Sequence, residues 1–298
     1  MTTAEALRKA NANLKFPGRV AVVVGATSGI GAAVARRLAQ ADYTIIAVGR
    51  DADRAASVMA DCAARSNNAH QFIQCDAALL GAGGVRDCAA AIAAKHRRVD
   101  ALVQTQGIAS MAGRDETAEG LDRKLSVHYF SRVAFALALL PQLRAAEGKV
   151  LSVLSGGVHS AYRHACDDFE LKQNYSIKNA ADAAGFYNDG AWDSLAAAPG
   201  NEKLLFIHAA PGFVATSWGT QLPTVVRGLV RCLQATLAAP AEDCAEFLVA
   251  PLFAANQTGF VLQGPKGEPA TVTAQHAAAR EGIWAKTLDI VKRLSGLN

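Results

Sequence analysis

The chain has 298 residues, 51% of them hydrophobic and 19% charged, which excludes a disordered chain and provides for a sizeable core. With 30 basic residues against 26 acidic ones the net charge is +4, too even a balance for a nucleic-acid partner. No run of about 18 uncharged apolar residues predicts a membrane span, and residues 1–13 have no apolar stretch of signal-peptide length. The six cysteines, at 62, 75, 88, 166, 232 and 244, form no C-x-x-C and read as reduced thiols of a cytoplasmic protein. The seven histidines lack metal-ligand spacing, so no metal is expected.

In chain order, short apolar runs alternate with helical stretches over the first two thirds. Strands are predicted at 20–24, 44–48, 71–74, 101–104, 150–154 and 204–209, and a later run at 259–262 closes a sheet edge. Helices fall between them, among them 32–41, 52–64 and 122–143. This alternation predicts an α/β fold, a Rossmann-like doubly wound parallel sheet of about seven strands with helices on both faces. No Pro-rich or Gly/Ser-rich linker interrupts it, so 1–298 is assigned to a single domain. The densest basic patch, Lys95-His96-Arg97-Arg98, ends a helix and complements its dipole. After Pro211, Leu222, Val225, Val226, Leu229, Val230 and Leu233 recur at helical spacing. That stripe packs on the body of the protein, or forms a substrate lid around 217–240, or does both.

The first strand carries the most specific signal. It runs Val22-Val23-Val24-Gly25-Ala26-Thr27-Ser28-Gly29-Ile30-Gly31 into an alanine-rich helix. A strand, a glycine turn and a helix N-terminus place free N–H groups and the positive end of a helix dipole where a pyrophosphate can sit. Glycine lets backbone approach phosphate closely.

With that loop in place, residues 17–264 resemble the short-chain dehydrogenase/reductase superfamily. The resemblance makes Gly25, Thr27, Ser28, Gly29, Ile30 and Gly31 the phosphate loop. It puts Arg50 beside the adenosine ribose, where NAD-preferring members carry an acid at the position of Gly49. A guanidinium fork suits a 2′-phosphate, so NADP(H) is the expected cofactor. Asp76 matches the aspartate near the adenine. Gln104-Thr105-Gln106-Gly107 stands where the family has Asn-Asn-Ala-Gly. Pro211-Gly212-Phe213-Val214-Ala215-Thr216 matches the turn that meets the nicotinamide, with Pro211, Gly212, Val214 and Thr216 as its contacts.

The catalytic side departs from the pattern. The family works with Asn, Ser, Tyr and Lys, the tyrosine being a general acid whose pKa the lysine lowers. By resemblance His128 takes the asparagine position and Ser155 the serine position. Thirteen residues beyond Ser155 lies Asp168, with Lys172 four further. Counting back from Ser194-Leu195-Ala196 reaches Ala181 and Gly185 instead. The second register is preferred, because 167–171 resembles a segment that some branches insert. Tyr175 and Lys178 are one residue short of Tyr-x-x-x-Lys, yet an i,i+3 pair can share a helix face and stays open.

The whole resembles a divergent group of fungal short-chain reductases, many in secondary metabolism, a few acting on alkaloid precursors. Without a tyrosine acid, a pre-activated electrophile such as an iminium needs only hydride. Arg132 lies one turn beyond His128 and can pair with Asp167 across the site. His159, His164 and Tyr162 are expected on a solvated loop. Three readings follow: an NADP(H)-dependent reductase of a small substrate, a cofactor-bound cyclase or isomerase without net redox, and a non-catalytic NADP(H) sensor. The resemblance also implies a homodimer or homotetramer through helices near 122–143 and 179–196.

Overall fold

The computed structural model describes residues 3–215, 238–271 and 274–297. Helix α1 (Ala4–Asn11) precedes β1 (Val20–Val24), α2 (Gly29–Gln40), β2 (Thr44–Gly49), α3 (Ala52–Ala63) and β3 (Gln71–Gln74). Helix α4 (Val85–Lys95) leads to β4 (Ala101–Gln104). A continuous helical run follows, made of α5 (Arg123–Leu125), a π turn (Ser126–Phe130) and α6 (Ser131–Ala138). After it come α7 (Leu140–Ala146), β5 (Lys149–Val153), α8 (Ile177–Ala197) and β6 (Leu205–Ala209). The chain ends with β7 (Val214–Ala215), β8 (Ala239–Pro240), the helix Ala241–Phe253, β9 (Gly259–Gln263), β10 (Pro269–Ala270) and the helix Ala274–Ser295.

One sheet has the order β10-β9-β6-β5-β4-β1-β2-β3. Every pairing in it is parallel except β10 on β9. It has eight strands rather than about seven, the eighth being the two-residue edge strand β10. Strands β7 and β8 form a separate pair. Strand order reverses between β1 and β4, so their carboxyl ends flank the crevice in which open α/β sheets bind ligands.

Strands buried on both faces read as continuous apolar runs, and β1 is buried at all five residues. One core lies between the sheet and α4, the π turn, α6, α8 and the C-terminal helix. The other lies between the sheet and α2, α3 and the helix Ala241–Phe253. The expected long helix over 122–143 is divided. Leu139 leaves helical geometry at φ −101° and ψ 6°, and α7 restarts with Pro141 in its first turn, where a missing N–H costs nothing.

The helix Ala274–Ser295 packs along α8. Arg280 donates to Asp193 at 3.0 Å, and the Tyr129 and Thr287 hydroxyls meet at 2.5 Å. The last helix thus packs on α8 and touches α6, two of the elements in the expected oligomer contact. Of the expected lid, residues 217–237 lie outside the described residues.

Candidate active site

At the carboxyl ends of β1, β2 and β4 opens a cavity of about 680 Å³. Its lining includes Gly25, Thr27, Ser28, Gly29, Ile30 and Gly31, then Gly49, Arg50, Arg54 and Asp76, and on the far wall Gln106 and Gly107. The volume is that of a small-molecule pocket.

The glycines of the loop serve different ends. A Cβ on Gly25, at φ +85°, would lie 2.7 Å from Gln106 N and 2.8 Å from Thr105 Oγ1. One on Gly31 would run into Gly25 O and Thr105 Oγ1. Both are thus glycine because the loop packs on the chain leaving β4, a protein contact rather than a ligand contact. Gly29 opens α2 at φ +54°, in the left-handed region. Ser28 is the N-cap of α2 but makes no side-chain capping bond, which leaves its hydroxyl and the first N–H groups of the helix facing the cavity.

At the other end of the cavity, a Cβ on Gly49 would lie 2.7 Å from Thr27 Cγ2, so a side chain there has to displace the Thr27 methyl. Arg50 and Arg54 supply the charge, although Arg54 is held by Asp51 at 3.1 Å. The Asp76 carboxylate accepts from Ala78 N at 3.0 Å and so shapes its own turn. On the turn expected to meet the nicotinamide, Gly212 has φ +71° and packs on Pro265, and Val214 is buried in β7 beyond Pro211. Thr216 lies outside the described residues.

The predicted arginine–aspartate pair is not formed. Arg132 is fully buried and points under the strip Gln104–Gly107. It donates to Gln104 O at 3.0 Å, Gln106 O at 2.6 Å and Ser152 Oγ at 2.8 Å. Burial pushes the guanidinium down to about 9. Asp167 is 70% exposed and its partner is His164, at 3.4 Å. A helix wheel gives the side of Arg132 but not its depth, and at this depth its two Nη atoms are met by carbonyl and hydroxyl oxygens while Nε has no partner among the described residues.

The pairing of Tyr175 with Lys178 is also corrected. Tyr175 precedes the N-cap Ser176, so it shares no helix with Lys178. Its hydroxyl accepts from Lys124 Nζ at 2.6 Å, whereas Lys178 is 81% exposed and pairs with Asp182. The shorter register falls outside a helix as well. The Asp168 carboxylate accepts from the N–H groups of Lys172, Gln173 and Asn174 at 2.7, 3.0 and 2.7 Å, organising the segment before α8.

His128 sits in the π turn, an arrangement often found at functional sites. Its Nε2 accepts from Ile108 N at 2.9 Å, so it is a neutral imidazole with its proton on Nδ1. Burial, aided by the charges of Arg132 and Lys124, pushes it down to about 3.

Ser155 follows β5, one strand further along the same sheet edge. Its Oγ is shielded and has no partner among the described residues. Its N–H donates to His208 Nε2 at 3.3 Å, and His208 Nδ1 meets Asp189 Oδ1 at 2.5 Å. Asp189 also accepts from Gly157 N at 3.2 Å. Burial keeps His208 neutral against the pull of Asp189. This buried pair braces the Ser155 turn, and sequence reading missed it. The signal was available: Asn188-Asp189 interrupt an apolar helix, and His208 interrupts an apolar strand.

His159 is not on a solvated loop. Its Nδ1 lies 3.0 Å from Asp182 Oδ1, and its ring lies over Gly185. His164 Nε2 accepts from Arg163 Nε and its Nδ1–H donates to Asp167 Oδ2, and Tyr162 is buried. Among the described residues no group of three or more His, Cys, Asp or Glu could hold a metal ion, and no helix is long and apolar enough to cross a membrane.

The comparisons agree with this architecture. The short chain dehydrogenase family matches residues 19–166. The chain is 32% identical over 225 residues to Oxidoreductase AN1596 of Emericella nidulans, covering 73% of this chain and 65% of that protein. It is 33% identical over 223 residues to Oxidoreductase andH of Emericella variicolor, covering 72% and 61%. It therefore spans less than two thirds of the length of these two relatives. A metagenomic short-chain oxidoreductase solved in complex with NADP superposes with a TM-score of 0.60 at 21% identity, covering 86% of this chain and 99% of that one. The chain belongs to the short-chain dehydrogenase/reductase superfamily and resembles its fungal members.

Proposed function

We propose that this protein is an NADP(H)-dependent short-chain reductase of a small organic substrate, a carbonyl or an iminium, in fungal secondary metabolism. The observation that carries the reading is the polarity of the cavity. One end offers the open N-terminus of α2, and the other has Arg50 beside Gly49, which packs against Thr27. That donor set fits a dinucleotide with a 2′-phosphate. The loop 25–31 would hold the pyrophosphate, Arg50 the 2′-phosphate, and Asp76 the adenine. When bound, such a cofactor supplies hydride. Two fungal relatives named as oxidoreductases and a neighbour solved with NADP support the same reading.

Titration of the protein with NADPH and NADH tests it. A charged hydrogen bond of this kind is worth about 1.5–3 kcal/mol, so NADPH should bind roughly ten- to a hundredfold more tightly, and Arg50→Ala should remove most of that preference. Equal dissociation constants would overturn the cofactor assignment. Consumption of NADPH with carbonyl and iminium compounds tests the redox reading.

A further inference from the structure

We propose that Ser155, His159 and Asp182 form the proton-donating site for a carbonyl oxygen, in place of the tyrosine and lysine that the chain lacks at Ala181 and Gly185. The inference rests on the reductase reading above.

Four observations meet at one place. A Cβ on Gly185 would overlap the His159 ring, with Cγ at 2.8 Å, so the imidazole occupies the room that the missing side chain leaves. Ser155 Oγ lies 2.8 Å from that same point, which makes hydroxyl and imidazole neighbours. Ser155 Oγ is shielded from solvent and has no partner among the described residues, so it has a hydrogen bond to give. Asp182, one residue past Ala181 on α8, meets His159 Nδ1 at 3.0 Å. Nε2 has no hydrogen-bond partner among the described residues.

Asp182 is suited to holding a protonated imidazole. Burial pushes its carboxyl up, but the hydrogen bonds from Lys178 and His159 outweigh this and hold it below the usual carboxylate range. It is therefore an anion at neutral pH. The other charged or titratable groups facing His159 are Lys178, across Asp182, and the buried neutral His208 beside the Ser155 turn, itself paired with Asp189. The partly exposed His159 can exchange its proton with solvent.

The chemistry balances. Hydride from a reduced nicotinamide forms the C–H bond at the carbonyl carbon, so the nicotinamide is oxidised and the carbonyl reduced. The carbonyl π pair moves to oxygen, which forms an O–H bond as the His159 Nε2–H bond breaks. His159 passes from imidazolium to imidazole and recovers its proton from water. Ser155 Oγ–H donates to the same oxygen as its charge grows. Aldehydes and ketones are thus restored as substrates.

Two arms test this. In the first, His159 ring signals, assigned with His159→Gln, are followed by NMR. Saturating NADP+ should move them in the wild type, and a hydrogen-bonded Nδ1–H signal should vanish in Asp182→Asn and return in Asp182→Glu. In the second, NADPH-dependent reduction of 4-nitrobenzaldehyde and phenanthrenequinone is measured. His159→Gln should lower kcat by about a hundredfold with NADPH affinity unchanged, and Asp182→Glu should recover part of what Asp182→Asn loses. The wild-type rate should fall with rising pH, as for a donor that must be protonated, and His159→Gln should lose that limb. Ring signals indifferent to NADP+, or His159→Gln turning over at the wild-type rate, would overturn the proposal. A wild-type protein that binds NADPH but reduces neither probe would sink the reductase reading, and the NMR arm would then decide the site alone.

Discussion

Arg132 shows how depth decides a residue's work. Among the described residues no carboxylate pairs with its guanidinium, whose two Nη atoms are held by two carbonyls and a hydroxyl beneath the wall of the cavity. Removing it orphans those acceptors as well as the space it fills. We expect Arg132→Ala to cost roughly 3 kcal/mol of stability, and to lower turnover only through the loosened Gln104–Gly107 strip. Denaturant unfolding checks this, and an unchanged midpoint in Arg132→Ala would contradict it. Tyr175 works at a similar remove, anchored by Lys124 rather than by the lysine that follows it in sequence. Residue types at these positions were legible from sequence. Their partners were not, because each partner comes from an element distant in the chain.

At the scale of elements the apolar runs were reliable. Strands β1, β3 and β4 fall where their runs predict; β1, buried on both faces, is apolar along its whole length, whereas the edge strand β3 keeps only Phe72 and Ile73 as its apolar centre. The loop that follows β1 has a property the glycine pattern alone does not distinguish. Gly25 and Gly31 are crowded by protein, whereas Gly29 is required by its positive φ at the start of α2. Gly29→Val puts a β-branched side chain into that conformation, a strain of about 1–3 kcal/mol at the helix end that lines the cavity proposed for the cofactor. NADPH affinity should drop at least about tenfold while circular dichroism stays close to wild type. Unchanged affinity would show that the phosphates lie elsewhere. Helix α8 carries a second lesson. Its Asp182 and Asp189 reach two different histidines, one in the loop after β5 and one in β6.

For the whole molecule, the two buried neutral histidines set an acid limit. Burial pushes His128 down to about 3 and lowers His208. Both therefore take up a proton more readily in the unfolded chain. Stability should be full above the ordinary histidine value of about 6.5 and be lost as pH falls below it, with the share of His128 continuing down toward 3. The depressed Asp168 and Asp182 add to this only below about 3.9. Calorimetry should show Tm level near neutrality and declining steadily from about pH 6.5 to 4.5, less steeply in His128→Gln. A Tm that stays level over that interval would refute the assignment.

Sequence by itself determined the class of fold, the strand positions, the glycine turn between β1 and α2, and a glycine rather than an acid at the last residue of β2. These follow from local rules: apolar runs make buried strands, and a glycine turn before a helix makes a phosphate cradle. Tertiary structure alone decided which polar groups meet. The chain between β5 and α8 returns to put His159 over Gly185, α8 and β6 join Asp189 to His208, and the last helix covers α8. A hydrogen bond between residues far apart in sequence leaves no periodic trace in either segment. It becomes legible only when packing has brought the two together.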